Sequence, residues 1–174
     1  ESGKKGLPGF LSLLQDRDTK LKISAIEAIG NLKTVEPSVV SLLIKNLTHP
    51  KRSVRSALAE ALGKIKHPKE LTIPSLLQLL RDRYICVRLH SVTALGKFGK
   101  EAEPAIPELL KNFDEKDPAL DMAIAETLCD IGYKAKVGIP KMKEVAQDKD
   151  RPDQMTKEAI SRIINYLELI NENE

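Results

Sequence analysis

The chain has 174 residues, 3% of them aromatic and none Trp, and 30% of them charged, so its apolar content rests on Leu, Ile, Val and Ala. Aliphatic residues spread evenly through a charged sequence exclude a disordered chain, and no stretch is long and apolar enough to span a bilayer. The net charge of +3 conceals a polarity, with 18 Lys+Arg against 8 Asp+Glu (+10) in residues 1–100 and 10 against 17 (−7) in residues 101–174.

From the N-terminus onward the sequence repeats itself. Leu7-Pro8, Val40, Ile73-Pro74, Ile106-Pro107 and Ile139-Pro140 recur at intervals of 33 residues. Each opens a segment with further apolar residues three, four and seven positions on, such as Leu43, Ile44 and Leu47, or Leu76, Leu77 and Leu80. That spacing is the buried stripe of a short helix, and the proline suits a first helical position, where its missing N–H has no partner.

A second helix follows at the same period. Leu21, Val54, Val87 and Leu120 start its apolar stripe, and Ile29, Leu62, Leu95 and Leu128 continue it. Ala28, Ala61, Ala94 and Thr127 precede this second set, and Gly30, Gly63, Gly96 and Cys129 follow it. Small residues at neighbouring positions let two helix axes approach closely, so the second helix is expected to pack most tightly between repeats. The fifth copy slips by one residue at Ala159-Ile160-Ser161-Arg162-Ile163. Its tail, with Ile164, Leu167 and Ile170 among Asn165, Glu168 and Glu172, predicts a capping helix with a polar outer face.

Turn formers separate the helices: Asp16 to Thr19, His49-Pro50, Asp82-Arg83, Asp117-Pro118 and Asp148 to Pro152 within repeats, and Glu36-Pro37, His67-Pro68 and Glu103-Pro104 between them. A two-helix unit cannot bury both of its stripes alone and must stack. The expected fold is all-α, a right-handed α-α superhelix of about five two-helix repeats over residues 6–34, 35–66, 67–99, 100–132 and 133–174, forming a single domain. An uncapped first repeat would expose Phe10, Leu13 or Leu14 and invite dimerisation; the oligomeric state is otherwise unread.

The run Ile73-Pro74-Ser75-Leu76-Leu77, Leu80-Arg81-Asp82, Val87-Arg88 and Ala94-Leu95-Gly96 resembles a HEAT repeat, in particular the short bacterial kind similar to those of phycobilin lyases. The resemblance implies that second helices line a concave face and first helices a convex one, and that such arrays serve mostly as binding surfaces. It further implies that Asp82 and Arg88 occupy acidic and basic positions which pair along the stack, with Asp16 and Lys22 repeating the pattern. The second copy sets His49 opposite Arg55, and the fourth inverts the charges with Glu115 and Asp121.

On the concave side, positions two, six and ten after the start of each second-helix stripe form an exposed strip. They are Ile23, Glu27 and Asn31; Ser56, Glu60 and Lys64; Leu89, Thr93 and Lys97; and Met122, Glu126 and Asp130. Ile23, Leu89 and Met122 make a discontinuous apolar strip suited to a partner helix or extended peptide, unless neighbouring repeats bury Ile23 and Met122. Along one edge, Lys51, Arg52, Arg81 and Arg83 form a basic cluster able to hold several phosphates, or else simply a solvated turn. Tyr84 and Ile85 beside it have the composition of an interface hot spot, unless Ile85 folds back over the first helix as local core.

Catalysis finds little footing. His49, His67 and His90 are isolated, and no ligands are spaced for a metal. There is no His-Glu dipeptide of the sort used by iron-binding HEAT hydroxylases, and no Trp to surround a damaged base as in a HEAT-like DNA glycosylase. Cys129 fills a packing position, which favours a buried, neutral thiol. Cys86 and Cys129 fall at opposite ends of neighbouring helices, too far apart for a disulfide, which suits a reducing, cytoplasmic setting. The chain begins at Glu1 without Met, so any targeting signal is expected upstream.

The expected function is therefore that of a non-catalytic scaffold presenting its concave face to a protein or peptide, with no cofactor. The alternative is a nucleic-acid or polyanion binder using the basic edge, since the charge polarity steers acidic partners toward the N-terminal part. A lyase-type accessory role follows from the family resemblance alone.

Overall fold

A computed structural model describes residues 9–113, 116–150 and 153–170. Residues 9–13 are helical (α1), followed by α2 (Thr19–Gly30), α3 (Pro37–Lys45), α4 (Arg52–Ile65), α5 (Lys69–Leu79), α6 (Ile85–Gly96), α7 (Ile106–Asn112), α8 (Pro118–Ile131), α9 (Ile139–Gln147) and α10 (Gln154–Leu169). Two 3-10 segments, Gly99–Ala105 and Tyr133–Gly138, precede α7 and α9. The described residues contain no strand, and helices alternate with turns at the period seen in the sequence, an all-α helical repeat. Leu7, Pro8, Glu115, Pro152 and Glu172, which figure in the expectations above, lie outside the described residues.

The chain divides into two compact units, Glu1–Ala94 and Leu95–Glu174. In the first, α4 packs on α2, α3 and α5. Its core is the stripe set of these helices: Ile26, Ile29, Val40, Leu43, Val54, Leu58, Leu62, Leu76 and Leu80 are buried. Each such aliphatic side chain contributes about 1.5–3 kcal/mol on leaving water. The Ser91 hydroxyl ties α6 to α5 by donating to the Leu76 carbonyl at 2.6 Å. In the second unit, α8 packs on α7, both 3-10 segments and α10, and α10 also packs on α9. Here Leu109, Phe113, Leu120, Ile124, Leu128, Met142, Ile160 and Leu167 are buried.

Glycine sets the spacing between second helices. A Cβ built on Gly30 would lie 2.9 Å from both Cα and Cβ of Ala61, and one on Gly63 would lie 2.6 Å from Cβ and 2.8 Å from Cα of Ala94. Carbon atoms that close overlap, so the Gly-on-Ala contact is where two backbones come nearest, as the small-residue pattern predicts. In the second unit a Cβ built on Gly96 would lie 3.0 Å from the Thr127 hydroxyl and 3.1 Å from an Asp130 carboxylate oxygen, a looser contact against movable atoms.

Four expectations are corrected. Leu21 is 45% exposed, because no repeat among the described residues covers the outer side of the first pair. Leu14, expected to be open to a second copy, is buried, while Phe10 and Leu13 are half-buried. Pro74 sits inside α5, because Lys69 to Ile73 are themselves helical, whereas Pro107 and Pro140 open their helices after 3-10 turns. Those turns begin near Gly99 and Gly132, whose φ values of 54° and 82° are positive, and Lys66, one repeat before Gly99, also has a positive φ of 58°. The outer face of α10 is mixed rather than polar, since Tyr166 and Leu169 are 51% and 80% exposed beside the exposed Asn165 and Glu168.

Replacing Gly63 by Ala is expected to lower the free energy of urea unfolding by about 1–3 kcal/mol through overpacking against Ala94. Gly96→Ala is expected to cost less, since Thr127 and Asp130 can shift; equal losses would show that the backbone approach is not limiting.

Candidate partner-binding surfaces

The strip positions emerge on the outer sides of the second helices. In the first unit Glu27, Lys64 and Thr93 are exposed, while Ile23, Glu60 and Leu89 are half-buried. Glu60 and Lys64 pair at 2.9 Å along one face of α4, a partly exposed pair of small energetic weight. Thr93 turns its hydroxyl back onto the Leu89 carbonyl at 3.0 Å. Ser56 departs from expectation: it is buried, on a helix that packs against α2, α3 and α5. In the second unit Lys97 and Glu126 are exposed and Met122 is half-buried. Met122 lines an open groove of about 450 Å³ between the starts of α8 and α10, with Pro118, Ala119, Met155, Ala159 and Arg162. Ile23, Leu89 and Met122 are thus partly accessible apolar side chains within their own units, rather than core.

The basic edge lies within the first unit and is built around two side chains. Arg55 grips Asp82 in bidentate fashion, Nε to Oδ2 at 2.6 Å and Nη2 to Oδ1 at 2.9 Å. Its remaining nitrogen, Nη1, donates to the carbonyls of His49 and Pro50 at 2.6 and 3.1 Å. Asp82 also accepts the Tyr84 amide at 3.0 Å, and its own carbonyl accepts Arg88 Nη1 at 2.7 Å. Both side chains of the ion pair are only 9% exposed. The acid of the third repeat is therefore matched to the arginine of the second, as pairing along the stack implies, while Arg88 supports the same turn through its backbone.

Tyr84 is the second organiser. The guanidinium carbons of Arg83, Arg52 and Arg55 lie 4.8, 5.1 and 5.7 Å from its ring centroid. Cations held over an aromatic ring are attracted by its quadrupole, which offsets part of their mutual repulsion. Lys51, Arg52, Arg81 and Arg83 are all exposed, with Lys51 Nζ also reaching Thr19 Oγ1. Ile85 is the first residue of α6 and 37% exposed, so it faces solvent instead of folding back as core. The three-arginine ring on Tyr84 was not legible as a contact from sequence, although the 27-residue step from Arg55 to Asp82 was there to be found.

Ionisation follows this geometry. Burial pushes the Asp82 carboxyl up, but hydrogen bonds from Arg55 and the Tyr84 amide, with the charges of Arg55 and Arg83, outweigh it and hold the group below the usual carboxylate range. His49 is held below its ordinary value by burial and then by Lys22, with Lys51 and Arg55 acting in the same sense electrostatically. Burial pushes the Cys129 thiol up, reinforced by Asp130 and Glu126, which disfavours a reactive thiolate. Cys86 and Cys129 are both free. Among the described residues no group of three His, Cys, Asp or Glu side chains is placed to hold a metal ion, and no helix is long and apolar enough to cross a membrane.

Asp82→Asn is expected to lower the unfolding free energy at neutral pH by about 3–5 kcal/mol, because Arg55 is left as an uncompensated buried charge. The folded carboxyl ionises more readily than the unfolded one, so its stabilisation is present above the ordinary carboxylate range and lost as pH falls through the folded value. The gap between parent and variant is therefore expected to close below about pH 4 in denaturant titrations; a gap independent of pH would contradict the pairing.

No curated protein sequence matches the chain. Among solved structures, two engineered proteins from the Northeast Structural Genomics Consortium share the fold. One is 18% identical with a TM-score of 0.63, covering 91% of this chain and 78% of its own. The other is 17% identical with a TM-score of 0.64, covering 94% of this chain and 87% of its own. The family described as HEAT repeats matches twice, over residues 7–82 and 73–161. Those matches span most of the sequence and coincide with the helix pairs and glycine contacts described above, so the chain belongs to the HEAT-repeat family.

Proposed function

We propose that the protein is a non-catalytic scaffold that binds a protein or peptide partner along the strip of its second helices. The observation that carries this is the partial exposure of Ile23, Leu89 and Met122, apolar side chains that the packing within their own units leaves accessible. Glu27, Glu60, Lys64 and Thr93 in the first unit, and Lys97 and Glu126 in the second, supply polar positions of both signs on the same helices, and apolar anchors with polar neighbours are the composition of a binding patch. HEAT arrays typically mediate protein interactions, and a repeated helix pair offers surface on which a partner can lie. A partner helix meets such a surface through apolar anchors one or two turns apart.

Leu89→Asp and Met122→Asp, each introduced alone, are expected to weaken retention of the partner in pull-downs by roughly tenfold or more, with the helical circular dichroism of the parent preserved. Full-strength retention by both folded variants would remove the strip from the account.

A further inference from the structure

The starts of the second helices differ in one respect along the chain. Asp18, Asp117 and Asp153 cap α2, α8 and α10, each accepting a backbone N–H within the first turn. Lys51 precedes α4 and makes no side-chain cap, while Tyr84 precedes α6 with its amide donating to Asp82 Oδ1. An aspartate cap contributes about 1 kcal/mol. Cations at a helix start are opposed by its dipole. Local stability is therefore given up at the start of α4, and departures from local rules concentrate where a surface has another use.

The charges there are also unbalanced. Both oxygens of Asp82 are taken by Arg55. Arg52 and Arg83 are exposed, and among the described residues no carboxylate pairs with either. They are held instead on opposite sides of one repeat boundary by the Tyr84 ring, at 5.1 and 4.8 Å. Two guanidinium groups fixed by an aromatic ring lose less freedom on binding an anion than two free arginines would, and carboxylate matches their fork geometry. Ile85, next in the chain, adds an accessible apolar side chain.

We propose that Arg52 and Arg83, clamped on Tyr84 with Ile85 beside them, form a binding site for an acidic protein segment whose carboxylates meet the two guanidinium groups and whose apolar side chain meets Ile85. A protein segment suits the site better than a nucleic acid. The ring on which a base would stack already carries guanidinium groups, and the charges gather around one side chain rather than along a backbone-length track. The site shares only its class of partner with the scaffold reading. Its variants leave Ile23, Leu89 and Met122 untouched, so either site can fail without the other.

The test is fluorescence anisotropy of the whole chain with three labelled probes: a peptide rich in Asp and Glu carrying one Leu, its Asn/Gln counterpart, and a duplex oligonucleotide. Titrations run at about 50 and about 200 mM salt. The acidic peptide is expected to bind at the lower salt and weaken at the higher, while its amide counterpart does not bind. Arg52→Gln combined with Arg83→Gln, which spares the Arg55–Asp82 pair, is expected to weaken the acidic peptide roughly tenfold or more. Tyr84→Phe keeps the ring and is expected to retain most of the affinity, and Tyr84→Leu to lose several-fold. The proposal is overturned by absence of acidic-peptide binding at low salt, by equal binding in the double variant, by Phe behaving as Leu, or by the oligonucleotide binding more tightly than the peptide.

Discussion

The close approach of second helices, glycine on one against alanine on the next, is the constraint from which the rest of the first unit follows. With Gly30 on Ala61 and Gly63 on Ala94, the backbones of α2, α4 and α6 come as near as carbon radii permit. That spacing lets short helices with modest side chains exclude water, which matters in a chain with 3% aromatic residues. It also fixes the register at which one repeat meets the next. Arg55 can then reach across to Asp82 with both nitrogens of its fork, and the turn of the third repeat is held by a buried ion pair together with a Tyr84 amide and an Arg88 bond.

The same register decides what is left on the surface. Once Asp82 is consumed by Arg55, Arg52 and Arg83 have the Tyr84 ring as their organiser. His49, in the turn before α4, is held below its ordinary value first by burial and then by the charge of Lys22, with Lys51 and Arg55 adding to it electrostatically. On the outward side of the second helices the tight spacing leaves room for no more than partial cover over Ile23 and Leu89. Packing and surface chemistry are in this sense consequences of one contact type repeated at a 33-residue step.

Much of this was legible in the sequence because a repeat states its own pattern several times. The stripe residues Val40, Leu43, Val54, Leu62, Leu76, Leu95, Leu109 and Leu128 all lie in the core, as their periodicity implies. Of the expected strip on the second helices, Glu27, Lys64, Thr93, Lys97 and Glu126 are exposed, Ile23, Glu60, Leu89 and Met122 are half-buried, and Ser56 is buried. What single-repeat periodicity could not supply was anything set by neighbours. Leu21 is apolar by pattern yet exposed by its place at the first described pair. Pro74 was placed at a helix start because its repeat-mates are, whereas the residues before it continue the helix. The gathering of Arg52, Arg55 and Arg83 on Tyr84 depends on side-chain reach between repeats, which spacing along the chain does not encode.

The central claim is that the second-helix surface and the Tyr84 edge, not the first helices or the chain's outer tips, meet the partner. Hydroxyl-radical footprinting of the chain alone and in complex with its captured protein partner tests it most directly. The account predicts that oxidation of Leu89, Met122 and Tyr84 falls on binding while Val137 and Leu169, exposed elsewhere at 69% and 80%, react as before. Protection of Val137 and Leu169 with Leu89 and Met122 unchanged would contradict it.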